Sequence, residues 1–439
     1  MISETHKKTA QWAMDFALKN GCRGVRISLY HGSNTSFEIR NMKIDRLQQA
    51  SENAFSIHLF VDGRYGAFST NRIDRKELEK FILNGIDSTR YLAEDRARTL
   101  PDASRYYTGG GNDLQLYDRK FETVPPDDKV ALAMQTCSEI AGKDPRIVAA
   151  ESSYGDGDSF RYMIASNGFE GESSSSYFSL SGSASIKGDG DARPSDYWYD
   201  QSLFFDTLRK EGIGTKALER ALRKLGQKKT ASAQLPMLVD FMNSRRLLSP
   251  VVQALFGSAI QQKNSFLLNM LNEKALGDKM TLLDNPHLPK ATGARYFDGE
   301  GVATRQMPVF EAGALKTYYI DTYYANKMET ERTVDSPSVL IMPPGDKNLD
   351  ELIASLDRGI LVTGFNGGNC SSTTGDFSYG IEGFLIEKGK LVQPVNEMNI
   401  TGNMLTLWQN LVEAGNDPLT SSNWRIPSLL FDAVDFSGI

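Results

Sequence analysis

The sequence contains few cysteines. Cys22, Cys137 and Cys370 are odd in number, lie far apart and include no C-x-x-C pair. A disulfide framework is therefore excluded, and this cysteine usage is typical of a protein of the reducing cytoplasm. We therefore expect a cytoplasmic location.

Histidine is also scarce. The four histidines are widely separated: His6, His31, His58 and His287. No two of them lie within one or two helical turns of each other, which excludes a metal site built from two histidines on one helix.

Long apolar runs and a strong charge of one sign are absent as well. No stretch approaches the ~18 apolar residues of a membrane-spanning helix, so we expect no membrane partner. Residues 4–19 carry apolar side chains at spacings of three and four, which predicts an amphipathic surface helix and not a signal peptide. Lys and Arg number 49 against 55 Asp and Glu, a net charge of −6. The basic surface that phosphate binding requires is missing, so we expect no nucleic-acid partner.

The 439 residues predict two or three domains. Short strands and amphipathic helices alternate along the chain, and strands outnumber helices in both halves. We predict an α+β fold with a mixed N-terminal domain at 1–225 and a strand-rich, barrel-like domain at 226–439, separated near a polar segment at 226–230. Within the first domain, the sequence Tyr-Gly-Asp-Gly-Asp at 154–158 predicts an exposed turn between two strands.

A second amphipathic helix is predicted after residue 243. Apolar residues recur at helical spacing from Leu247 to Ile260, Ser244 is a candidate N-cap, and Pro250 is a candidate first-turn residue. Later, residues 366–383 are rich in glycine, serine and threonine. Such a segment does not form a helix and lets another backbone approach closely. We therefore expect a tight turn in a barrel-like sheet or a site for a peptide or partner chain.

Long stretches of the sequence resemble one known family. TTGDFSYGIEGFLIEKGKLVQPVNEMNITGNMLTLWQNL, at 373–411, is similar to the C-terminal signature of the TldD/PmbA proteins, once named modulators of DNA gyrase. DGRYGAFSTNRID at 62–74 and the block at 284–328 are similar to the family's N-terminal and central regions. The resemblance covers nearly the whole chain.

The resemblance implies which kind of subunit this is. TldD-type subunits carry H-E-x-x-x-H on a helix and bind zinc, whereas TldE-type subunits, also called PmbA, lack that motif. The equivalent helix here is 250–262, and the motif positions hold Gln253, Ala254 and Ser258. A hydrolytic zinc needs about three strong ligands and a carboxylate base. We therefore expect no catalytic residue, no metal site and no cofactor in this chain.

The resemblance also implies partners. It predicts a heterodimer with a TldD-type metallopeptidase subunit that holds the zinc, an unfolded peptide as substrate, and a homodimer as a further option for the chain alone. The residues carried over as candidates for binding a peptide or the partner belong to the glycine-rich region: Gly367, Gly368, Cys370, Thr374, Gly375, Asp376, Phe377, Ser378, Gly402 and Asn403.

Two alternatives remain open at this point. The chain could be a hydrolase in its own right, with Cys370, His287 and Asp376 as its reactive residues. It could also be a binding module that modulates another protein, such as a topoisomerase, without proteolysis.

Overall fold

The computed structural model describes residues 2–438. Strands make up 38% and helices 23% of the chain, and the C-terminal region contains a closed five-stranded barrel. The predicted α+β class with a strand-rich, barrel-like C-terminal domain is therefore confirmed.

Helices are distributed along the whole chain. The α-helices are α1 (Glu4–Lys19), α2 (Arg75–Arg90), α3 (Pro126–Ser138), α4 (Ile213–Arg223), α5 (Ser244–Gln253), α6 (Gly257–Gln261), α7 (Thr322–Met328), α8 (Leu349–Ala354) and α9 (Met404–Gln409). The predicted first helix is confirmed as α1, which buries Ala10, Ala13, Met14 and Ala17 along one side. No helix among residues 2–438 combines the length and the apolar composition that a bilayer crossing requires.

Strands form most of the framework. They are β1 (Gly24–Arg40), β2 (Lys43–Val61), β3 (Arg64–Thr70), β4 (Ile147–Ala165), β5 (Phe169–Ile186), β6 (Ser195–Ser202), β7 (Ala233–Val239), β8 (Leu282–Asp284), β9 (Met307–Glu311), β10 (Ala314–Leu315), β11 (Leu340–Ile341), β12 (Arg358–Phe365), β13 (Asn369–Cys370), β14 (Asp376–Glu387), β15 (Lys390–Asn403), β16 (Leu411–Ala414), β17 (Trp424–Arg425) and β18 (Leu429–Ser437).

The N-terminal sheet is antiparallel with the order β3-β2-β1-β4-β5-β6. Its long strands carry two helical layers on one face. Val25 and Ile27 at the start of β1 pack with α1 and α2, whereas Phe37 and Ile39 near its end pack with α3 and α4. These residues have the same parity, and alternate side chains of a strand point to the same face. The opposite face is left for the C-terminal region.

Strand β4 corrects one prediction. The exposed turn expected at 154–158 is wrong, because β4 runs without interruption for 19 residues. Its backbone pairs with β1 on one side and β5 on the other. Asp156 is fully buried, accepts a hydrogen bond from the Tyr154 hydroxyl at 2.9 Å and forms an ion pair with Lys129 of α3. The lysine neutralises a carboxylate that would otherwise exclude this segment from a core.

The C-terminal region contains the barrel and a smaller sheet. The barrel strands follow the order β12-β7-β18-β15-β14, and pairing of β14 with β12 closes the ring. The second sheet has the order β10-β9-β8-β11-β17. One apolar core includes Val239 and Ile381 of the barrel together with Leu282 and Val309 of the second sheet. The two sheets therefore form one packed unit.

A group of buried charges joins the N-terminal domain to the barrel. Arg220 of α4 lies 3.3 Å from Asp196 of β6 and 3.7 Å from Asp240, the residue after β7. Lys224 Nζ lies 3.1 Å from Asp196 and 2.6 Å from Glu382 of β14. We call these five residues the junction salt-bridge cluster.

Candidate functional site

The helix predicted at 250–262 is interrupted in the structure. Helix α5 ends at Gln253 and α6 begins at Gly257, so a continuous helix over 250–262 is wrong. Between them the Tyr319 N–H donates to the Leu255 carbonyl at 2.9 Å, and the Gly257 N–H donates to the Tyr319 carbonyl at 2.7 Å. These bonds to a distant strand-like segment replace the intrahelical bonds and break the helix.

The start of α5 also differs from the prediction. Asn243 is the N-cap, Ser244 is the first helical residue, and Pro250 lies inside the helix. The Ser244 hydroxyl donates to the Phe241 carbonyl at 3.2 Å, so it is used by the preceding turn and not by the helix.

The three motif positions do not converge on a metal. The Gln253 side chain is exposed and donates to the Ser249 hydroxyl at 3.2 Å on the same helix. Ala254 is 1% exposed and belongs to the apolar core, and Ser258 lies beyond the break in α6. An amide, a methyl and a hydroxyl provide neither strong zinc ligands nor a base. Among residues 2–438, no group of three or more His, Cys, Asp or Glu is arranged to hold a metal ion. These positions therefore do not fit a catalytic zinc.

The glycine-rich region forms a turn between β13 and β14 at one end of the barrel. Cys370 pairs with Phe377, which in turn pairs with Gly402 of β15. The Phe377 ring stacks on the Tyr379 ring at a centroid distance of 5.4 Å. The missing side chain at Gly402 leaves room for Phe377, because a Cβ there would lie 3.2 Å from the ring. The structure thus places the candidates Cys370, Phe377 and Gly402 side by side on three neighbouring strands.

Hydrogen bonds within the region hold the turn. Asn403 Nδ2 donates to the Thr374 carbonyl at 2.8 Å and to Asp376 Oδ1 at 2.9 Å, and Thr374 Oγ1 donates to Asp376 Oδ2 at 2.7 Å. The Gly375 N–H donates to the Ser371 carbonyl at 2.8 Å. The bonds from Asn403 and Thr374 hold the pKa of Asp376 below its usual value. Thr374, Asp376 and Asn403 therefore form one hydrogen-bonded unit, and their polar groups shape the turn.

Two neighbouring glycines of this region have different surroundings. Both have positive φ, +92° at Gly367 and +89° at Gly368. A Cβ at Gly368 would lie 2.0 Å from the Ser378 carbonyl oxygen, whereas a Cβ at Gly367 would meet nothing within 4 Å. Gly368 is therefore required by close backbone packing, while Gly367 is open to an approaching chain.

The structure brings the motif helix and the glycine-rich region together. Arg246 of α5 donates from Nη2 to the Gly368 carbonyl at 3.0 Å, and its guanidinium carbon lies 4.8 Å from the centre of the Tyr379 ring. Ser372 Oγ donates to Asn264 Oδ1 at 2.7 Å. Sequence reasoning missed Arg246, Tyr379 and Asn264. The alternation of Phe377 with Tyr379 was the available signal for the tyrosine.

The residues of the hydrolase alternative lie in separate contacts. The Cys370 thiol lies 3.6 Å from the Ser371 carbonyl, and burial raises its pKa to about 11. His287 Nε2 lies 3.1 Å from Thr304 Oγ1, and burial lowers the pKa of this imidazole. A thiol with a raised pKa is protonated near neutral pH and is a poor nucleophile. The geometry therefore does not support a Cys370–His287 catalytic pair.

Comparison with known proteins gives matches along most of the chain. Residues 232–438, 119–225 and 25–88 match the PmbA/TldA metallopeptidase C-terminal domain, central domain and domain 1. The crystal structure of a Bacteroides thetaiotaomicron protein described as a modulator of DNA gyrase is 63% identical, covers 100% of both chains and superposes with a TM-score of 0.98. The chain belongs to the PmbA/TldD family.

Other members of the PmbA/TldD family are more distant in sequence. The metalloprotease PmbA of Escherichia coli O157:H7 is 25% identical over 99% of this chain and 97% of that protein. TldE from Thermococcus kodakarensis is 20% identical, covers 98% of this chain and 100% of its own, and has a TM-score of 0.87. At that identity the likeness to TldE is one of fold. The family resemblance read from the sequence is confirmed.

Proposed function

We propose that this PmbA/TldD-family chain is the non-catalytic, TldE-type subunit of a zinc metallopeptidase. The chain pairs with a TldD-type subunit, which holds the zinc and cuts the substrate. The observation that carries the proposal is the pair of helices α5 and α6. The motif positions on and between these helices hold Gln253, Ala254 and Ser258, which do not fit a zinc site.

The same helix keeps its packing role. Leu247, Leu248, Val251 and Val252 of α5 are buried in the core of the C-terminal region. A helix with a buried apolar face and without metal ligands suits a scaffold that positions a partner.

The glycine-rich region supplies the proposed contact with the partner or the peptide. Gly367 is open, and Ser378 is exposed on β14. An unfolded peptide, presented as an extended segment, is the proposed substrate of the complex. We also propose a cytoplasmic location, which the free thiols of Cys22, Cys137 and Cys370 support.

Reconstitution tests the proposal. The purified chain, the TldD-type subunit of the same cell and their mixture are each incubated with an unfolded peptide, and zinc is quantified after desalting. We expect peptide cleavage by the mixture, near-zero zinc and no cleavage by this chain alone. One tightly held zinc per chain, together with cleavage by the chain alone, would overturn the proposal. His287→Ala is expected to leave cleavage by the mixture unchanged.

A surface substitution tests the contact region. Ser378→Arg places a bulky cation on the exposed side of β14, and Ser51→Arg is the matched control on an exposed position of β2. We expect the first variant, and not the second, to weaken association with the TldD-type subunit in analytical ultracentrifugation. Equal association of both variants would remove the glycine-rich region from the proposed interface.

A further inference from the structure

A cavity lies between the N-terminal sheet and the C-terminal region. It has a volume of about 740 Å³, and its walls include Phe160 and Arg161 of β4, Ser173 and Ser174 of β5, and the segment 294–298. A second cavity of about 520 Å³ adjoins it and shares the two serines. We call the larger one the interdomain cavity. Its size is within the range of ligand-binding sites.

Most charged side chains along this cavity already have partners of opposite charge. The neutralised pairs are Lys7 with Glu172 at 2.8 Å, Arg295 with Asp335 at 3.2 Å, and Asp298 with Arg332 at 2.5 Å. These pairs form part of the wall and leave little net charge of their own.

Arg161 is different from these residues. It is half-buried, and its Nε donates to the Ser28 hydroxyl at 3.2 Å. Within residues 2–438, no carboxylate oxygen lies within 4 Å of its guanidinium nitrogens. Burial and the positive charge of Arg26 lower the pKa of Arg161. Arg26 itself has a partner, Glu300, at 3.7 Å. Arg119 also lines the cavity and forms no ion pair within residues 2–438, but its side chain is exposed to solvent. Arg161 is therefore the half-buried guanidinium of this cavity that no carboxylate pairs within the described residues.

Hydroxyl groups lie beside this guanidinium. Ser173 is the cross-strand partner of Arg161 in the β4–β5 ladder, so both side chains leave the same face of the sheet. The hydroxyl of Ser173 has no hydrogen-bond partner in the described part of the chain. A guanidinium with a neighbouring hydroxyl donor is well suited to a planar anion.

We infer that the interdomain cavity binds a carboxylate through the Arg161 guanidinium and the Ser173 hydroxyl. One half-buried unpaired cation matches one negative charge, because Arg26 and Arg295 are already paired and Arg119 is exposed to solvent. This favours a carboxylate over a phosphate dianion, which would require a second half-buried cation free of a carboxylate. The carboxylate belongs to a peptide, either to its C-terminus or to an acidic side chain, and in this respect the inference rests on the proposed function.

Calorimetric titration of the purified chain, without any partner, tests the inference with three probes. These are acetyl-tetraalanine with a free carboxylate, the same peptide with a C-terminal amide, and an amidated acetyl-Ala-Glu-Ala-Ala. We expect the amidated tetraalanine to be the weakest binder. Binding of the first probe identifies a peptide C-terminus as the source, and binding of the third identifies an acidic side chain. Equal binding of all three, or binding of none, overturns the inference.

Variants locate the bound carboxylate. Arg161→Gln is expected to weaken binding about 30-fold or more, since removing one partner of a partly buried charge pair is costly. Arg161→Lys keeps the charge but loses the forked geometry, and an intermediate loss is expected. Arg209→Gln is the matched control, because Arg209 is exposed, forms no ion pair within residues 2–438 and does not line the cavity. The affinity of the Arg209→Gln variant for the carboxylate probes is expected to be unchanged.

Ser173→Ala is a second variant that tests the inference even if Arg161→Gln does not fold. Ser173 is exposed and removal of its hydroxyl leaves the ladder intact, so this variant is expected to fold and to bind about fivefold more weakly. Unchanged affinity after Ser173→Ala and Arg161→Lys would overturn the inference. If the chain does not bind the carboxylate probes but the mixture cleaves peptide, this inference is overturned and the subunit proposal stands. If the chain binds a carboxylate probe but the mixture cleaves no peptide, the subunit proposal is overturned and the binding site stands.

Discussion

Two places where the N-terminal sheet faces the C-terminal region use basic residues in opposite ways. In the junction salt-bridge cluster, Lys224 and Arg220 are 5% and 15% exposed and pair with three carboxylates. In the interdomain cavity, Arg161 lies beside open space and, within residues 2–438, has a hydroxyl but no carboxylate as partner.

The difference teaches how to separate a structural charge from one that is available for binding. Burying an ion costs several kcal/mol unless a counter-ion and hydrogen bonds compensate. The cluster meets that condition within the protein, so its charges stabilise the domain junction. The cavity leaves part of the compensation to solvent or to a ligand. Both the cluster and the cavity contain an arginine, and the neighbouring carboxylates decide whether its charge is structural or available for binding.

The largest expected effect comes from opening the cluster. Lys224→Met removes the cation that lies 3.1 Å from Asp196 and 2.6 Å from Glu382. Glu382 then loses its cation and the buried Asp196 keeps only Arg220, at 3.3 Å, so the free energy of unfolding is expected to fall by about 3–5 kcal/mol. Urea denaturation measures the change. Lys216→Met on the same helix is the control, since its pair with Glu219 is exposed and contributes less than about 1 kcal/mol. Equal losses for both variants would contradict the comparison.

Gly368 and Gly367 provide a second comparison between a closely packed position and an open one. Gly368→Ala combines a left-handed backbone with a clash against the Ser378 carbonyl, and the expected loss of stability is about 3 kcal/mol. Gly367→Ala has the same backbone penalty but open space, and the expected loss is about 1 kcal/mol. Urea unfolding of the two variants in parallel measures the difference. A larger loss at Gly367 would show that the open position is in fact filled.

Asp284 is a buried acid that forms no ion pair within residues 2–438, and it provides a pH test. Asp284 is 1% exposed, accepts hydrogen bonds from the N–H groups of Ser338 and Val339, and has a pKa raised to about 6 by burial. Between about pH 4 and 6 the native state holds a proton that the unfolded chain releases. Stability contributed by this group is therefore lost as pH rises through that window, by on the order of 2 kcal/mol.

Substitution isolates the contribution of Asp284. Asp284→Asn is expected to flatten the pH dependence of the free energy of unfolding between pH 4 and 6 relative to the unchanged protein. Urea unfolding at half-unit pH intervals gives the two curves. Parallel curves would show that Asp284 titrates alike in the folded and unfolded states.

The smallest effect is expected at the cavity. Arg161→Met removes a cation without separating an ion pair, so the free energy of unfolding is expected to change by less than about 1 kcal/mol in either direction. Urea unfolding measures this change. A loss as large as that of Lys224→Met would reveal a carboxylate partner and would erase the contrast between the two regions.

Sequence reasoning worked where the pattern was local. The spacing of Ala10, Ala13 and Ala17 predicted α1, and the apolar period of Leu247, Leu248 and Val251 predicted α5 as an amphipathic helix. These residues follow a 3.6-residue period that depends on nothing distant in the chain. The alternation of short strands with amphipathic helices predicted the α+β class and the strand-rich C-terminal domain.

Distant partners explain the errors. The segment 154–158 looked like a turn, but pairing with β1 and β5 and the ion pair from Lys129 make it a strand. The helix expected to continue to residue 262 breaks because Tyr319 bonds to Leu255 and Gly257. Arg246 beside Gly368 was missed for the same reason. None of these partners is visible in the local pattern of the affected segment.

The position of β18 in the barrel sets an order of events during synthesis. Residues 429–437 pair with β7, which begins at residue 233, and with β15, and they complete the ring between those two strands. The N-terminal sheet needs no residue beyond 202 for its own strand pairing. During translation, the strands of the N-terminal sheet can therefore already pair while the barrel still lacks strand β18. Throughout that interval the edges of β7 and β15 are open to wrong partners, which makes the nascent barrel the part of this protein most in need of a chaperone.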